Sequence, residues 1–566
     1  MKKLRWQLLI VVLALGAIAV LLYSQSTPTE VPGAVPDIIA SPLPVQGGFY
    51  SEGLIGTFSR LNPVLAFHNS ADRDINRLLY SRMLTFDAQG FPEGELAESW
   101  GISQDGLVYN FSLHRNAVWH DGEPLTTADI LFTIELLRDP DLPVPDDIRN
   151  LWTQVDVTAL SDFDISFKLP EPFTPFMDYL SFGIVPEHVY EGMSAAEFID
   201  SDRHLAPLGS GPYAFDGFIL EQEDIVGVKL LAFDDYFLER AFIDRVEFYY
   251  FAEAQDAADA YADGQIRAIS RIPNEILGQA LAEPDLSLYS GRLPQVSMVL
   301  LNLDNPEVPF FQELAVRQAL MMALNRERMV SEFMGGQAIV ANGPILAGSW
   351  AYLGVDEIGG YAPEQADARL RSAGYSIPAA GGSIRSKDDV FLEFTLVHPE
   401  GAIYNQVAAS IQESWQTLGI AVTLLEVPYE ELISDHLDTR AYQAALIDLN
   451  YSGQYDPDPY PFWHQTQITG GQNYSQWDDR VASEYLEQAR VILNLDERIR
   501  LYRNFQVRFA RELPALPLFY PVYSFAVDPE IQGVRVGPLF DTSDRLAGLP
   551  GWFLSAANNP NGAEDQ

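Results

Sequence analysis

The sequence predicts an α/β protein of at least two lobes, and three observations carry that prediction. At 566 residues the chain exceeds the roughly 250–300 residues at which a single hydrophobic core stops growing. Between 391 and 449, strand-like runs alternate with helix-like runs, the pattern of parallel crossovers in a doubly wound sheet. A separate block, 107–140, reads instead as a strand followed directly by a capped helix, outside that alternation.

Bulk composition narrows the function classes. With 47% hydrophobic and 12% aromatic residues, the chain is not a mainly disordered one. Lys and Arg number 35 against 79 Asp and Glu, a formal charge of −44. Such a surface is well solvated and repels phosphate backbones and anionic lipid, so no nucleic-acid partner is expected. There is no cysteine. Thiolate zinc sites, iron–sulfur clusters, cysteine nucleophiles and disulfides are excluded, as is a lipid anchor that needs a cysteine thiol.

Taken in chain order, Lys2, Lys3 and Arg5 precede an uncharged apolar stretch from Trp6 to Tyr23. The positive flank stays cytoplasmic and places the remainder outside. The stretch is long for a signal-peptide core and reaches the minimum for a spanning helix, so residues 1–23 are expected to be an uncleaved signal anchor rather than a cleaved signal peptide. If the leader is cut, at Ser24-Gln25-Ser26 for example, the protein is secreted or periplasmic. Residues 24–45 follow as a linker, with prolines at 28, 32, 36, 42 and 44. Proline fixes φ and removes a helix donor, so this segment is an extended spacer.

In the globular part, Leu107, Tyr109, Phe111 and Leu113 alternate with more polar residues as a half-buried strand, entered by the turn Gln104-Asp105-Gly106. Thr126 to Asp129 form a capped helix start. Ile130, Leu131, Ile134 and Leu137 follow at helical spacing, and Asp139-Pro140 ends the helix. A helical pair is expected at 313–324 and 325–333, capped by Asn325 and closed by Gly335-Gly336. The doubly wound stretch then gives strands at 391–397, 420–427 and 444–449 and helices at 403–418 and 430–437, with Gly419 terminating the first helix. The tail, 557–566, is expected to fray.

Few residues invite catalysis. The eight histidines (68, 114, 120, 188, 204, 398, 436 and 464) form no H-E-x-x-H, and neither a G-x-S-x-G elbow nor a P-loop is present. Trp119-His120-Asp121-Gly122 is expected to be a structural turn. No catalytic residue, metal or cofactor is expected. The strongest ligand-site candidate is the segment 450–463, NYSGQYDPDPYPFW, because ligands of doubly wound sheets sit beyond the carboxyl ends of strands. Its aromatics with polar handles suit a buried polar ligand. The expected ligand-binding residues there are Asn450, Tyr451, Tyr455, Asp456 and Trp463, with Asn473 shortly after. His68 and Asn69 are expected to reach in from the opposite lobe.

Five segments in a fixed order resemble family 5 of the extracellular solute-binding proteins, the peptide- and nickel-binding type serving ATP-driven importers. They are LNP (61–63) with LLYSRMLTFD (78–87), LAESW through WHDGEPLTTADI (96–130), GSGPYAF (209–215), VRQALMMALNRERMV (316–330) and DPDPYPFWHQTQ (456–467). The resemblance implies a type II periplasmic-binding-protein-like fold: two lobes with a hinge, plus an extra domain. Domain I would comprise 46–74, 208–288 and 517–556, domain II, a mixed α+β insertion, 75–207, and domain III 289–516. Ligand would be enclosed between I and III by hinge closure. The implied partners are a peptide or other small polar solute and the permease subunits of an ABC importer, with the binding protein itself a monomer. One departure matters. Peptide-binding relatives place an ammonium-pairing aspartate three residues before the acidic-Pro pair, where this chain has Gly453; Asp448 or Asp456 would have to substitute. An oligosaccharide receptor of the same fold, a surface-anchored carboxylate hydrolase and a non-transporting sensor stay open as alternatives.

Overall fold

The computed structural model describes residues 44–354, 358–379 and 381–555. The apolar leader, the proline-rich spacer up to residue 43 and the tail from 556 lie outside the described residues. Among those described, no helix is long and apolar enough to cross a membrane.

One strand organises the molecule. Ala515–Val527, buried almost throughout, belongs to a twelve-stranded mixed sheet. Its first half pairs antiparallel with Gln295–Leu301 and Ala338–Val340. Its second half pairs with Ser287–Arg292 and Ala268–Ile269. Beyond Ala268–Ile269 the sheet continues through Phe49–Ile55, Arg245–Phe251, Asp224–Ala232 and Tyr213–Glu221. On the other side it continues from Gln295–Leu301 through Ala444–Asn450 and Glu393–Pro399 to Ala421–Val427.

The doubly wound expectation holds where helices connect strands. Glu393–Pro399 runs parallel to both Ala421–Val427 and Ala444–Asn450. The crossover is helix Ala402–Thr417, which buries Val407, Ala408, Ile411 and Trp415. Gly419 follows in the left-handed region (φ +76°), which a side chain would resist. The pleat sends alternate residues to opposite faces. Val299, Leu301 and Leu396 join one apolar core with this helix and with Leu314–Met322 and Pro363–Ser372. Met298, Leu300 and Val397 join another, closed by Arg480–Val491 and Leu495–Glu512. The helix expected at 430–437 is instead a single turn, Tyr429–Glu431, continuing as wider π turns to Leu437. Asn325 caps Arg326–Glu332 by accepting the Arg328 N–H.

The signature block, residues 97–183 with the LAESW through WHDGEPLTTADI match at its start, folds around a four-stranded antiparallel sheet, in the order Ala97–Ile102, Val108–Leu113, Asp164–Lys168, Asp156–Ser161. Thr126 and Asp129 make a reciprocal capping box for helix Thr127–Arg138. Phe111, Ile130, Trp152 and Phe167 run into the same buried cluster as Tyr50, Tyr213, Phe248 and Phe525. The signature turn is bolted to the GSGPY segment. His120 Nδ1 accepts the Gly209 N–H, so Nε2–H donates to the Gly211 carbonyl at 3.1 Å. Burial pushes this imidazole down to about 4, which keeps it in the neutral tautomer that both bonds require.

Candidate ligand-binding cleft

Two cavities meet at the carboxyl end of strand Ala444–Asn450, the place the strand order singles out, and Asn450 lines both. The first, about 560 Å³, is floored by Phe519 to Ser524 at the middle of the long strand. Arg271 to Glu275 stand on one side, and Ser297, Tyr404, Tyr429 and Asp448 on the other. The second, about 480 Å³, lies between the His68–Arg82 region, residues 173–183 of the signature block and the 450–461 segment.

Asp448 dominates the first cavity. Its carboxylate accepts hydrogen bonds from the Ser297 hydroxyl and from Tyr404 Oη, the latter at 2.7 Å. No cation pairs with it among the described residues. Burial raises its pKa above the usual carboxylate range, against the pull of the two hydroxyls. The charge also reaches Tyr429, whose pKa rises through burial and through Asp448. A half-buried carboxylate flanked by two phenols is suited to a positively charged group.

The second cavity holds more ions, mostly in pairs. Arg498 Nη2 donates to both oxygens of Asp456 at 2.7 and 2.8 Å. Arg490 Nε donates to Asp458 at 2.7 Å while its guanidinium lies 3.7 Å over the Tyr460 ring. Arg73 approaches Asp541 at 3.3 Å. Asp178 accepts the Asp456 N–H. Burial and the neighbouring Asp456 charge push Asp178 well above its usual pKa, favouring the protonated form.

The structure separates the eight expected site residues. His68, Asn450, Tyr455 and Asp456 line the second cavity. Asn450 Oδ1 accepts from Ser452 N–H and Oγ, which fixes the amide at the strand end. Tyr455 stacks on Phe86 with ring centroids 3.8 Å apart. Asp456 is committed to Arg498, so it is unsuited to a second cation. The other four lie outside both cavity linings. Asn69 caps helix Ser70–Leu79, accepting from Ala71 and Asp72 N–H and donating to Thr57 O. Tyr451 packs on Phe462 and donates to the Pro344 carbonyl. Trp463 is 1% exposed, with its ring edge-on to Phe509 and Trp477. Asn473, 0% exposed, ties the Trp477 backbone from both ends of its amide. Each of these four has its polar or aromatic side chain engaged within the fold. Gly453 sits at φ +76° with its N–H on the Phe540 carbonyl.

Sequence reasoning missed Asn76, Arg82, Asp178, Ser297, Tyr404 and Arg490, contributed by segments far apart in the chain. No local signal marks Asn76, since the buried residues of its helix, Ser70–Leu79, already include Asp72 and Asp74.

The model of the bacterial extracellular solute-binding proteins, family 5 Middle, matches residues 92–473. The oligopeptide-binding protein AppA of Bacillus subtilis is 26% identical over 90% of this chain and 92% of its own length. Its solved structure, in complex with a nonapeptide, superposes with a TM-score of 0.67, covering 90% of this chain and 100% of that one. HbpA2 from Haemophilus parasuis, 23% identical, reaches a TM-score of 0.75 over 87% of this chain and 98% of that one. The fold is the type II periplasmic-binding-protein fold expected from the sequence, and the chain belongs to the family 5 bacterial extracellular solute-binding proteins.

Proposed function

We propose that this protein captures peptides outside the cytoplasm and delivers them unaltered to the permease of an ABC importer. The observation that carries the reading is the double cavity joined at Asn450, with the carboxylate of Asp448 standing in it without a paired cation. A peptide's ammonium satisfies that carboxylate, and the Asn450 amide N–H₂ and the backbone beyond the strand end meet its amide groups. This supplies at position 448 the clamp that Gly453 withholds. The AppA structure with a nonapeptide and the peptide-bearing DppA structure from Helicobacter pylori support a peptide ligand. A sugar would need an aromatic face to stack on, and of the expected site aromatics Trp463 is enclosed in the core while Tyr455 is stacked on Phe86.

The division into domain I (46–74, 208–288, 517–556), domain II (75–207) and domain III (289–516) is part of this reading, as are hinge crossings near 288 and 516. Closure of I on III encloses the peptide and performs no chemistry on it. The outer faces of both lobes dock the permease, the binding protein acts as a monomer, and the apolar stretch Trp6–Tyr23 with its proline-rich spacer tethers it to the membrane. Thermal melting with a mixed peptide pool tests the core of this. Binding to the native state alone adds about 2.7 kcal/mol at 100 times Kd, so the midpoint should climb with concentration. A flat midpoint, together with no copurified peptide, rejects the proposal.

A further inference from the structure

We propose that Asn76 and Arg82 form a carboxylate-binding subsite in the second cavity, beyond Asn450 from Asp448. This inference rests on the peptide reading and extends it to the other end of the ligand. Asn76 is 5% exposed, yet neither Oδ1 nor Nδ2 has a hydrogen-bond partner among the described residues. Its side chain lines the cavity from helix Ser70–Leu79. Buried amides are almost always paired, because an unpaired one forfeits its hydration with no return. An orphaned amide facing a cavity therefore points to a polar group that arrives from outside.

Arg82 lines the same cavity, and its guanidinium makes no hydrogen bond and no ion pair within 4 Å among the described residues. Burial and the nearby Arg77 lower its pKa, while Tyr455, Asp544 and Glu95 act on it only through space. Asp544 already has Arg77 at 3.8 Å. The acidic residues sharing the cavity do not compete for the ligand's place: Asp456, Asp458 and Asp541 have Arg498, Arg490 and Arg73 beside them. Asp178 favours its neutral form, and Asp147 is exposed. A planar guanidinium and an amide N–H₂ lining one cavity can together meet the two oxygens of a carboxylate. With Asp448 on one side of Asn450 and Arg82 on the other, a zwitterion has a single favourable direction in the cleft.

The test uses the purified chain and three synthetic pools of three- to nine-residue peptides: free acids without Asp or Glu, the same peptides C-terminally amidated, and amidated peptides bearing one Glu. Isothermal titration should give the free acids at least roughly ten-fold tighter binding than the plain amides, the usual effect of a charged hydrogen bond. Recovery by the Glu-bearing amides identifies a side-chain carboxylate as the group read; no recovery identifies the C-terminus. Arg82→Met should erase the discrimination and Arg82→Lys should keep part of it. Asn76→Leu should weaken free-acid binding while melting no lower than wild type, since it breaks no side-chain hydrogen bond among the described residues. Equal wild-type affinity for all three pools, or full discrimination in Arg82→Met, overturns the subsite. No binding of any pool overturns the peptide reading itself, and the subsite with it.

Discussion

Replacing Asp448 by Asn isolates the charge that the ligand is proposed to meet. Wild-type Asp448 presents a carboxylate held by the Ser297 and Tyr404 hydroxyls. Asparagine keeps one acceptor oxygen and similar volume but offers no charge. A hydrogen bond to a charged group contributes about 1.5–3 kcal/mol, which is about 10- to 150-fold in Kd. The unliganded fold should change by no more than about 1 kcal/mol, because the substitution also relieves the burial that raises the Asp448 pKa. The assay is titration calorimetry at pH 7.5 with paired peptides, free at the N-terminus or acetylated. Wild type should favour the free amine, and the Asn variant should bind both members of each pair equally and weakly. The preference should also fade as pH falls through the Asp448 pKa, which burial raises above that of an ordinary aspartate. An Asn variant that keeps the wild-type preference refutes the assignment.

Three further outcomes concern the frame. Trp463→Ala should cost about 3–5 kcal/mol in denaturant unfolding, as large core aromatics do, yet leave peptide selectivity intact; a selective loss of affinity without destabilisation would return Trp463 to the site. Arg545 is 1% exposed and bridges Glu52 at 2.6 Å and Asp74 at 2.8 Å, so Arg545→Met strands two buried carboxylates. A loss of about 3–5 kcal/mol is expected, read by urea midpoint, with a neutral result contradicting the packing. Burial raises Asp72 from 3.8 to about 6, and likewise Asp74 to about 6. Between these values the native state holds protons that the unfolded chain has released, so stability falls as pH rises from about 4 through 6. On acidification from pH 7 to pH 5 these two carboxyls raise the melting midpoint, while His120, held down to about 4, pulls it the other way. For Asp72 the full effect is about 3 kcal/mol, and Asp72→Asn should flatten the slope; an unchanged slope would show that other groups set it.

The fold was legible where local chemistry and tertiary packing agree. Helical spacing of Val407, Ile411 and Trp415, the stop at Gly419 and the Thr126–Asp129 capping box all specify elements that the core then uses. The helix expected at 430–437 was not, because after Pro428 the segment carries its contacts in π turns that helical periodicity does not distinguish. For the site, the strand end at Asn450 was legible from topology alone. Its neighbours were not: composition cannot tell an aromatic that faces the cleft from one that closes the core, so Tyr455 and Trp463 looked alike. The second cavity draws on the His68–Arg82 region, the signature block and helix Arg480–Val491 at once. No local pattern records that meeting. Asp456 illustrates the same limit, since its partner Arg498 is 42 residues away.

The central claim is that one unaltered peptide is held between the two halves of the sheet. Native mass spectrometry of the purified protein, after incubation with the free-acid peptide pool, tests it most directly. A mass increment of one peptide per chain is expected, with release of that intact peptide on denaturation. Peptide fragments in the released fraction, or a chain mass unchanged across the pool, would contradict it.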